Sequence, residues 1–312
     1  QHVTHALESM ECVIVQDLFL NETAMYAHVF FPGASFLEKS GTFTNAERRI
    51  SPVRRVMAPK NGPKVDGKQA IGYEDWEITT KFSAALGYPM HYSHASEIMD
   101  EIAALTPTFK GVSFKKLDEL GSIQWPCDDE NPTGTPTMHI DEFVRGKGKF
   151  FITQYVPTTE KVNAKYPLIL TTGRILSQYN VGAQTRRTKN VEWHHEDVVE
   201  IHPHDASERG INEGDWIGIS SRAGETVLRA TLSERVQAGV IYTTFHHPES
   251  GANVITTDNS DWATNCPEFK VTAVQVTRVN QLSDWQKHYK TFSDAQIAFA
   301  SSQLSKKVQQ PA

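Results

Sequence analysis

The chain has 312 residues, 39% of them hydrophobic and 22% charged, and its 31 basic and 37 acidic side chains leave a net charge of −6. That length suits about two domains with real cores, and the composition is that of a globular protein rather than a disordered one. The acidic balance argues against a general nucleic-acid binder, which carries a basic face, and no apolar run approaches the roughly 18–20 residues of a membrane helix. The three cysteines, Cys12, Cys127 and Cys266, are widely spaced, which gives no disulfide framework, zinc knuckle or iron–sulfur spacing. They fit a reducing compartment, so a cytoplasmic location is the expectation. The text opens on Gln1 and helix-like sequence, without a basic-plus-apolar leader, and reads as an internal or C-terminal piece of something longer.

In chain order, Cys12–Val15 is a β-branched run expected to form a buried strand, with Gln16 and Asp17 emerging at its carboxyl edge. Thr23–Ala27 reads as a brief helix and His28–Phe31 as a second strand stopped by Pro32-Gly33. Strand, helix, strand is α/β grammar. Ser40–Asn45 has loop composition. A basic patch follows at Arg48, Arg49, Arg54 and Arg55, where a small anion would find partners. A helix is expected over 76–86, with Trp76, Thr79, Phe82 and Leu86 on one face and Asp75 as its cap. A second is expected over 94–105, aligning Ile98, Ile102 and Leu105. Residues 121–148 turn to Gly, Pro, Thr and Asp and read as an inter-domain connection.

After residue 149 the grammar becomes β. Strands are expected at 166–170, 198–201, 216–220, 226–232, 239–243 and 271–276, with a hairpin turn at Ala223-Gly224 and one short helix from His202 through Arg209. Many short strands with one small helix argue for a barrel-like domain. Residues 283–304 have the pattern of a terminal amphipathic helix. The organisation is therefore an α/β segment over 1–120, a connection over 121–148, a mostly-β barrel-like domain over 149–280 and a helical tail over 281–312.

Catalytic signatures are sparse. There is no G-x-S-x-G elbow and no Walker loop, and Gly146-Lys147-Gly148 is only a truncated glycine motif. The histidine sets His194-His195, His202-Pro203-His204 and His246-His247 have no Cys or carboxylate at ligand spacing, so they read as surface or pocket-lining side chains. Thr171-Thr172-Gly173-Arg174 follows directly on a strand. The glycine would let backbone amides approach a ligand, and the guanidinium offers a planar fork for phosphate. A turn bearing a surface Arg accounts for the same four residues. The polar series Ser177-Gln178-Tyr179-Asn180 beyond it has the groups to read a heterocycle.

Thr171–Arg187 (T-T-G-R-I-L-S-Q-Y-N-V-G-A-Q-T-R-R) resembles the guanine-dinucleotide-binding segment of molybdopterin oxidoreductases of the formate dehydrogenase and nitrate reductase type. Four further matches keep the family's order. They are Gln16-Asp17 with T-A-x-x-A and a strand ending at Pro32; Glu38-Lys39; Gly41–Arg49 (G-T-F-T-N-A-E-R-R); and Asn253 with Pro267-Glu268-Phe269-Lys270. Together they reach from the start of the chain to about residue 280. The wording of Glu11–Asp17, Gly87–Tyr92 and Ile123–Cys127 looks most like a formate dehydrogenase large subunit, and the extension after 280 resembles that of soluble NAD-linked enzymes.

The resemblance implies a bis-molybdopterin guanine dinucleotide cofactor carrying Mo or W. Gln16, Asp17, Lys39 and Asp75 in the α/β part would contact one dinucleotide arm. Thr172, Gly173, Arg174, Gln178, Tyr179 and Asn180 would belong to the β-domain's share of the site, with Asn253, Phe269 and Lys270 following. Phe245 and His246 would lie near the pterin or substrate side. Each has a plainer reading: Asp75 as a helix cap, Phe245 as a core aromatic, Lys39 and Lys270 as solvated surface. Gln178 departs from the His or Trp frequent in relatives. The family's metal is held by a Cys or selenocysteine followed by His, and its iron–sulfur clusters by an N-terminal Cys set. Here Cys12 precedes Val13, Cys127 precedes Asp128 and Cys266 precedes Pro267. The expected assignment is no catalytic or metal-ligating residue in this chain, which cradles the cofactor of an enzyme oxidising formate to CO2. The implied partners are the N-terminal half of the same large subunit and iron–sulfur/flavin electron-transfer subunits, with no nucleic acid and no membrane span. A nitrate reductase-type fragment and a non-catalytic cofactor carrier or assembly module are the alternatives.

Overall fold

The computed structural model describes residues 2–59, 64–65, 68–69, 72–143, 145–261, 263–287 and 289. They form two units, one of His2–Thr153 and one running from Gln154 onward.

The first unit opens with helix α1 (His2–Glu8) and strand β1 (Ile14–Asp17), which pairs in parallel with β2 (Val29–Pro32) across the 3-10 turn Thr23–Tyr26. The strand expected over Cys12–Val15 thus lies two residues further on and is half-exposed rather than buried. Val13, just before it, is buried, while Ile14 is 43% exposed, since a two-stranded sheet leaves one face uncovered. Ser40–Asn45 is not a loop. Gly41–Thr44 (β3) pairs antiparallel with Arg49–Val53 (β4) around a turn in which Asn45 Oδ1 accepts the Glu47 and Arg49 amides, each at 3.0 Å. Two-residue strands β5 (Lys64–Val65) and β6 (Lys68–Gln69) pair with each other. Helix α2 spans Asp75–Ala85 and buries Ile78, whereas Phe82 and Leu86 of the expected apolar face are exposed. Helix α3 (Ala95–Leu105) is as expected in extent but buries Met99.

A fourth helix, α4 (Phe114–Leu120), is not signalled in the sequence because seven residues give too few turns to show a period. Its start is fixed by Ser113, whose hydroxyl accepts the Lys116 amide at 3.2 Å, and Gly121 ends it in a left-handed conformation. In the expected connection, β7 (Ile123–Gln124) adds to β4. The core here is Ile50, Met99, Val112, Leu117, Ile123 and Cys127.

The basic patch is not a free anion site. Arg48 donates to the carbonyls of Trp125, Thr135 and Pro136, and Arg49 pairs with Glu47, Arg54 with Asp118 and Arg55 with Glu74.

The second unit is the expected barrel. Strands β8 (Leu168–Thr172), β9 (Val198–Ile201), β10 (Trp216–Ser220), β11 (Glu225–Leu232), β12 (Val240–Thr243) and β13 (Thr272–Arg278) close in the order β10-β11-β9-β12-β8-β13. Period-two alternation sends Leu168, Leu170, Val199, Ile201, Ile217, Ile219, Ile241, Val274 and Val276 inward, and these fill the interior. Helix α5 (Pro203–Glu208) follows β9, and the short helix α6 (Ala252–Ile255) packs beside β11. Of the expected tail helix, Asp284–Lys287 and Tyr289 are helical, with Gln286 Nε2 donating to the Val227 carbonyl at 2.7 Å. The rest of that helix lies outside the described residues.

Candidate functional site

Barrel topology decides which side chains can share a surface. Strands β8 and β12 run parallel, and β13 and β9 run antiparallel to them. The carboxyl ends of β8, β10 and β12 therefore lie at the same rim as the amino ends of β9, β11 and β13. The segments leaving that rim are 173–197, 221–224 and 244–271. Ten of the eleven β-domain candidates fall on these segments, and the eleventh, Thr172, ends β8. The opposite rim carries none of them.

At the β8 end, Thr172 Oγ1 donates to the Phe269 carbonyl and Lys270 Nζ to the Thr172 carbonyl, both at 2.9 Å. Thr172, Phe269 and Lys270, 98 residues apart at most, thus form one cluster. Gly173 fills a different role from the expected one. Its amide donates to the Thr243 carbonyl at 3.1 Å, so it is occupied by the sheet. A Cβ there would sit 2.5 Å from the Tyr242 hydroxyl, so any larger residue would require that ring to shift. Arg174 is exposed, with its guanidinium 5.6 Å from the Phe245 ring centroid, a cation–π contact. It has no ion pair among the described residues.

His246 is fully buried, and both ring nitrogens are committed to this chain. Nε2 accepts the Ile175 amide at 3.1 Å, which leaves Nδ1 protonated to donate to the Asn180 carbonyl at 2.5 Å. The imidazole therefore fixes the loop 173–180 at both ends instead of presenting a free nitrogen to a ligand. Gln178 is likewise buried. Its Oε1 accepts Thr185 Oγ1 at 2.6 Å, so it braces the loop. Tyr179 and Asn180 are exposed beside it, Asn180 in the left-handed region that Asn tolerates. Asn253 is exposed on α6. Ser177 Oγ is buried without a hydrogen-bond partner among the described residues.

Beneath the rim lies Asp197, which sequence reasoning does not reach. It is 3% exposed and accepts from the Thr244 hydroxyl, the His246 amide at 3.2 Å and the His247 amide at 2.9 Å. His247 Nδ1 lies 3.2 Å from the same carboxylate. Burial pushes this carboxyl up, but the His247 and Thr244 contacts and the backbone donors outweigh it and hold its pKa below the ordinary value. No local pattern pairs Asp197 with residues about fifty positions away.

In the first unit the candidates gather on Asp75. Its Oδ1 accepts Gln16 Nε2 at 2.7 Å and its Oδ2 pairs with Lys39 Nζ at 2.5 Å. Asp75 is not the helix cap. That position is Glu74, whose amide is accepted by the Glu77 carboxylate at 2.9 Å, because the helix begins one residue earlier than its apolar pattern suggests. Asp17 holds its own turn, accepting the Leu18 amide at 2.6 Å and Asn21 Nδ2 at 2.8 Å. A cavity of about 230 Å³ opens beside Asp75, lined by Lys39, Thr42, Phe43, Glu74 and Trp76. Glu74 is 3% exposed, and although burial pushes its carboxyl up, Arg55, Trp76 and the Ser40 amide hold it below the ordinary value.

These donor sets fit a nucleotide-bearing heterocyclic cofactor. Each unit offers cations beside amide, hydroxyl and carboxylate groups, which suits pyrophosphate charge and the edges of pterin and guanine rings. Among the described residues no three His, Cys, Asp or Glu side chains gather to hold a metal, and no helix is long and apolar enough to cross a membrane.

Known proteins resemble the chain in both of its units. Residues 168–273 match the molydopterin dinucleotide binding domain, and residues 1–83 match the molybdopterin oxidoreductase domain. The chain is 40% identical over 284 residues to the F420-dependent formate dehydrogenase subunit alpha of Methanocaldococcus jannaschii, covering 89% of this chain and 41% of that protein. It is 33% identical over 280 residues to formate dehydrogenase H of Escherichia coli, covering 88% of this chain and 38% of that protein. The chain thus spans about two fifths of the length of the curated relatives it matches. Acetylene hydratase from Pelobacter acetylenicus shares the fold, with a TM-score of 0.65 at 15% identity, covering 89% of this chain and 42% of that one. The barrel with its candidate rim and the domain upstream of it are those of the molybdopterin oxidoreductase family, to which this chain belongs.

Proposed function

We propose that this chain is the cofactor-cradling part of a Mo- or W-dependent formate dehydrogenase large subunit. The observation that carries the cofactor half of this reading is the single barrel rim that collects Thr172, Arg174, Tyr179, Asn180, Asn253 and Lys270. The formate half rests on the named activity of the relatives at 33–40% identity.

In this reading, a bis-molybdopterin guanine dinucleotide would supply the two-electron chemistry that takes formate to CO2, and the protein binds and orients it. Lys270 and Arg174 would take pyrophosphate charge, while Tyr179, Asn180 and Asn253 offer hydrogen-bond partners to heterocycle edges. Lys39, Gln16 and Asp75 would grip one arm beside the cavity of the first unit, with Asp17 at the adjoining strand end. Gly173, Gln178 and His246 act one step back by shaping the loop, Phe245 through its ring beside the Arg174 guanidinium, and Phe269 through the carbonyl that takes the Thr172 hydroxyl. The metal's protein ligand and any iron–sulfur clusters come from outside these 312 residues, in the rest of the large subunit and in iron–sulfur or flavin partners working in the cytoplasm. The NAD-linked subgroup expected from the extension after residue 280 rests largely on positions outside the described residues.

The test is to purify the protein with its partners and measure guanine nucleotide released on acid hydrolysis, metal content and formate-dependent dye reduction. Guanine nucleotide and metal in proportion, with formate turnover, is the expected result. Nitrate turnover without formate turnover would assign the nitrate reductase-type reading instead.

A further inference from the structure

Asp197 is a carboxylate buried to 3% exposure beneath the rim, and it bonds to the turn that carries His246. Every group against it belongs to the turn 244–247: the Thr244 hydroxyl and the His246 and His247 amides, with His247 Nδ1 3.2 Å away. A buried carboxylate saturated by such donors sets their geometry firmly, because each donor left without it would be a buried unpaired group.

The consequence reaches further than that turn. His246 is placed by this carboxylate through its amide, and its ring then holds the Ile175 amide and the Asn180 carbonyl. Those two contacts bracket the stretch that bears Arg174 just before it and Gln178 and Tyr179 within it. Gly182 closes on the same turn from the other side, since a Cβ there would lie 2.9 Å from the His246 carbonyl. The order of dependence is Asp197, then the turn 244–247, then the His246 ring, then the loop 173–180.

We infer that Asp197 is a positioning residue for the dinucleotide site, acting through His246 to hold the loop 173–180 in its binding geometry. The inference deepens the cofactor reading and rests on it for the identity of the ligand. The contact chain itself is independent of any ligand.

The test uses the purified protein with its partners and reads two quantities. One is amide hydrogen exchange at Ile175, compared with the strand amides of β8 and β12. The other is the rate at which guanine nucleotide is lost on dilution. Asp197→Asn keeps the side-chain shape but turns one acceptor oxygen into a donor facing an N–H or O–H. It is expected to speed Ile175 exchange about tenfold, leave the strand amides unchanged, and speed nucleotide loss by a similar factor. Faster exchange at His246 and His247 with Ile175 unchanged would overturn the inference, because Asp197 would then serve only its own turn. Looser Ile175 with unchanged nucleotide loss would overturn it too.

If exchange rises throughout the barrel, His246→Leu is the second variant. It leaves Asp197 in place and is expected to loosen Ile175 alone, and an unchanged Ile175 would overturn the inference. A protein that releases no guanine nucleotide before substitution would fail the cofactor reading, and the Ile175 comparison would still decide the contact chain.

Discussion

Lys270 shows how the fold places a motif residue proposed to bind the cofactor. Its ammonium gives one proton to the Thr172 carbonyl at 2.9 Å, which fixes the side chain at the rim and leaves two protons for an anion. Replacing it by Ala is expected to keep the barrel folded and weaken cofactor retention. The loss of a charge-assisted contact is worth roughly 1.5–3 kcal/mol, or about one to two powers of ten. Unchanged guanine nucleotide and metal content in Lys270→Ala would contradict it. Nearby, Asp261 organises the segment leading to Lys270 by accepting the Ala263, Thr264 and Cys266 amides and the Thr264 hydroxyl. Those donors bring its pKa down to about 2. A depressed folded pKa means that this order is fully present above the ordinary carboxylate range and is lost as the pH falls towards about 2. A carboxyl-carbon NMR titration of Asp261 with a midpoint at the ordinary aspartate value would refute the arrangement.

At the scale of elements, the barrel strands were legible because inward and outward positions alternate strictly, as in Leu168, Leu170 and Thr172 of β8 against outward Ile169 and Thr171. Leu170→Ala is expected to cost about 2–5 kcal/mol, read as a fall in denaturant midpoint, since the side chain is fully buried in that core. Gly173→Ala tests the close approach of β8 to Tyr242. Overpacking against that ring should cost about 1–3 kcal/mol, and Tyr242→Phe should restore part of it by removing the nearest atom. Equal stability of Gly173→Ala and the parent would show that the ring has room to move. What stayed hidden was what depends on distant partners. The hairpin β3–β4 reads as a loop because its polar Thr side chains pair through backbone, and the buried face of α2 is Ile78 because tertiary packing selected it over Phe82. Asp197 was invisible for the same reason: its donors are 47 to 50 positions away.

At the scale of the molecule, two units carry two donor sets, one around Asp75 and one on the barrel rim. The candidate residues were legible as motif positions, but their contacts within the fold were not. Gly173 serves packing, while His246 and Gln178 serve the loop's shape, leaving Arg174, Tyr179, Asn180, Asn253 and Lys270 as the groups free to meet a ligand. In none of the three Cys positions does His follow, so these 312 residues alone are expected to show no formate-dependent dye reduction. Turnover at the rate of a complete enzyme, with full-length contaminant excluded, would place catalytic groups among residues read here as binding or structural. The central claim, that the barrel rim grips a guanine-bearing dinucleotide, meets its most direct test in one measurement: guanine nucleotide released per chain from the protein purified with its partners, before and after the combined Arg174→Ala and Lys270→Ala substitution. The account predicts nucleotide in fixed proportion to Mo or W in the parent and at least a tenfold loss of it in the folded double variant. Equal nucleotide in both would contradict it.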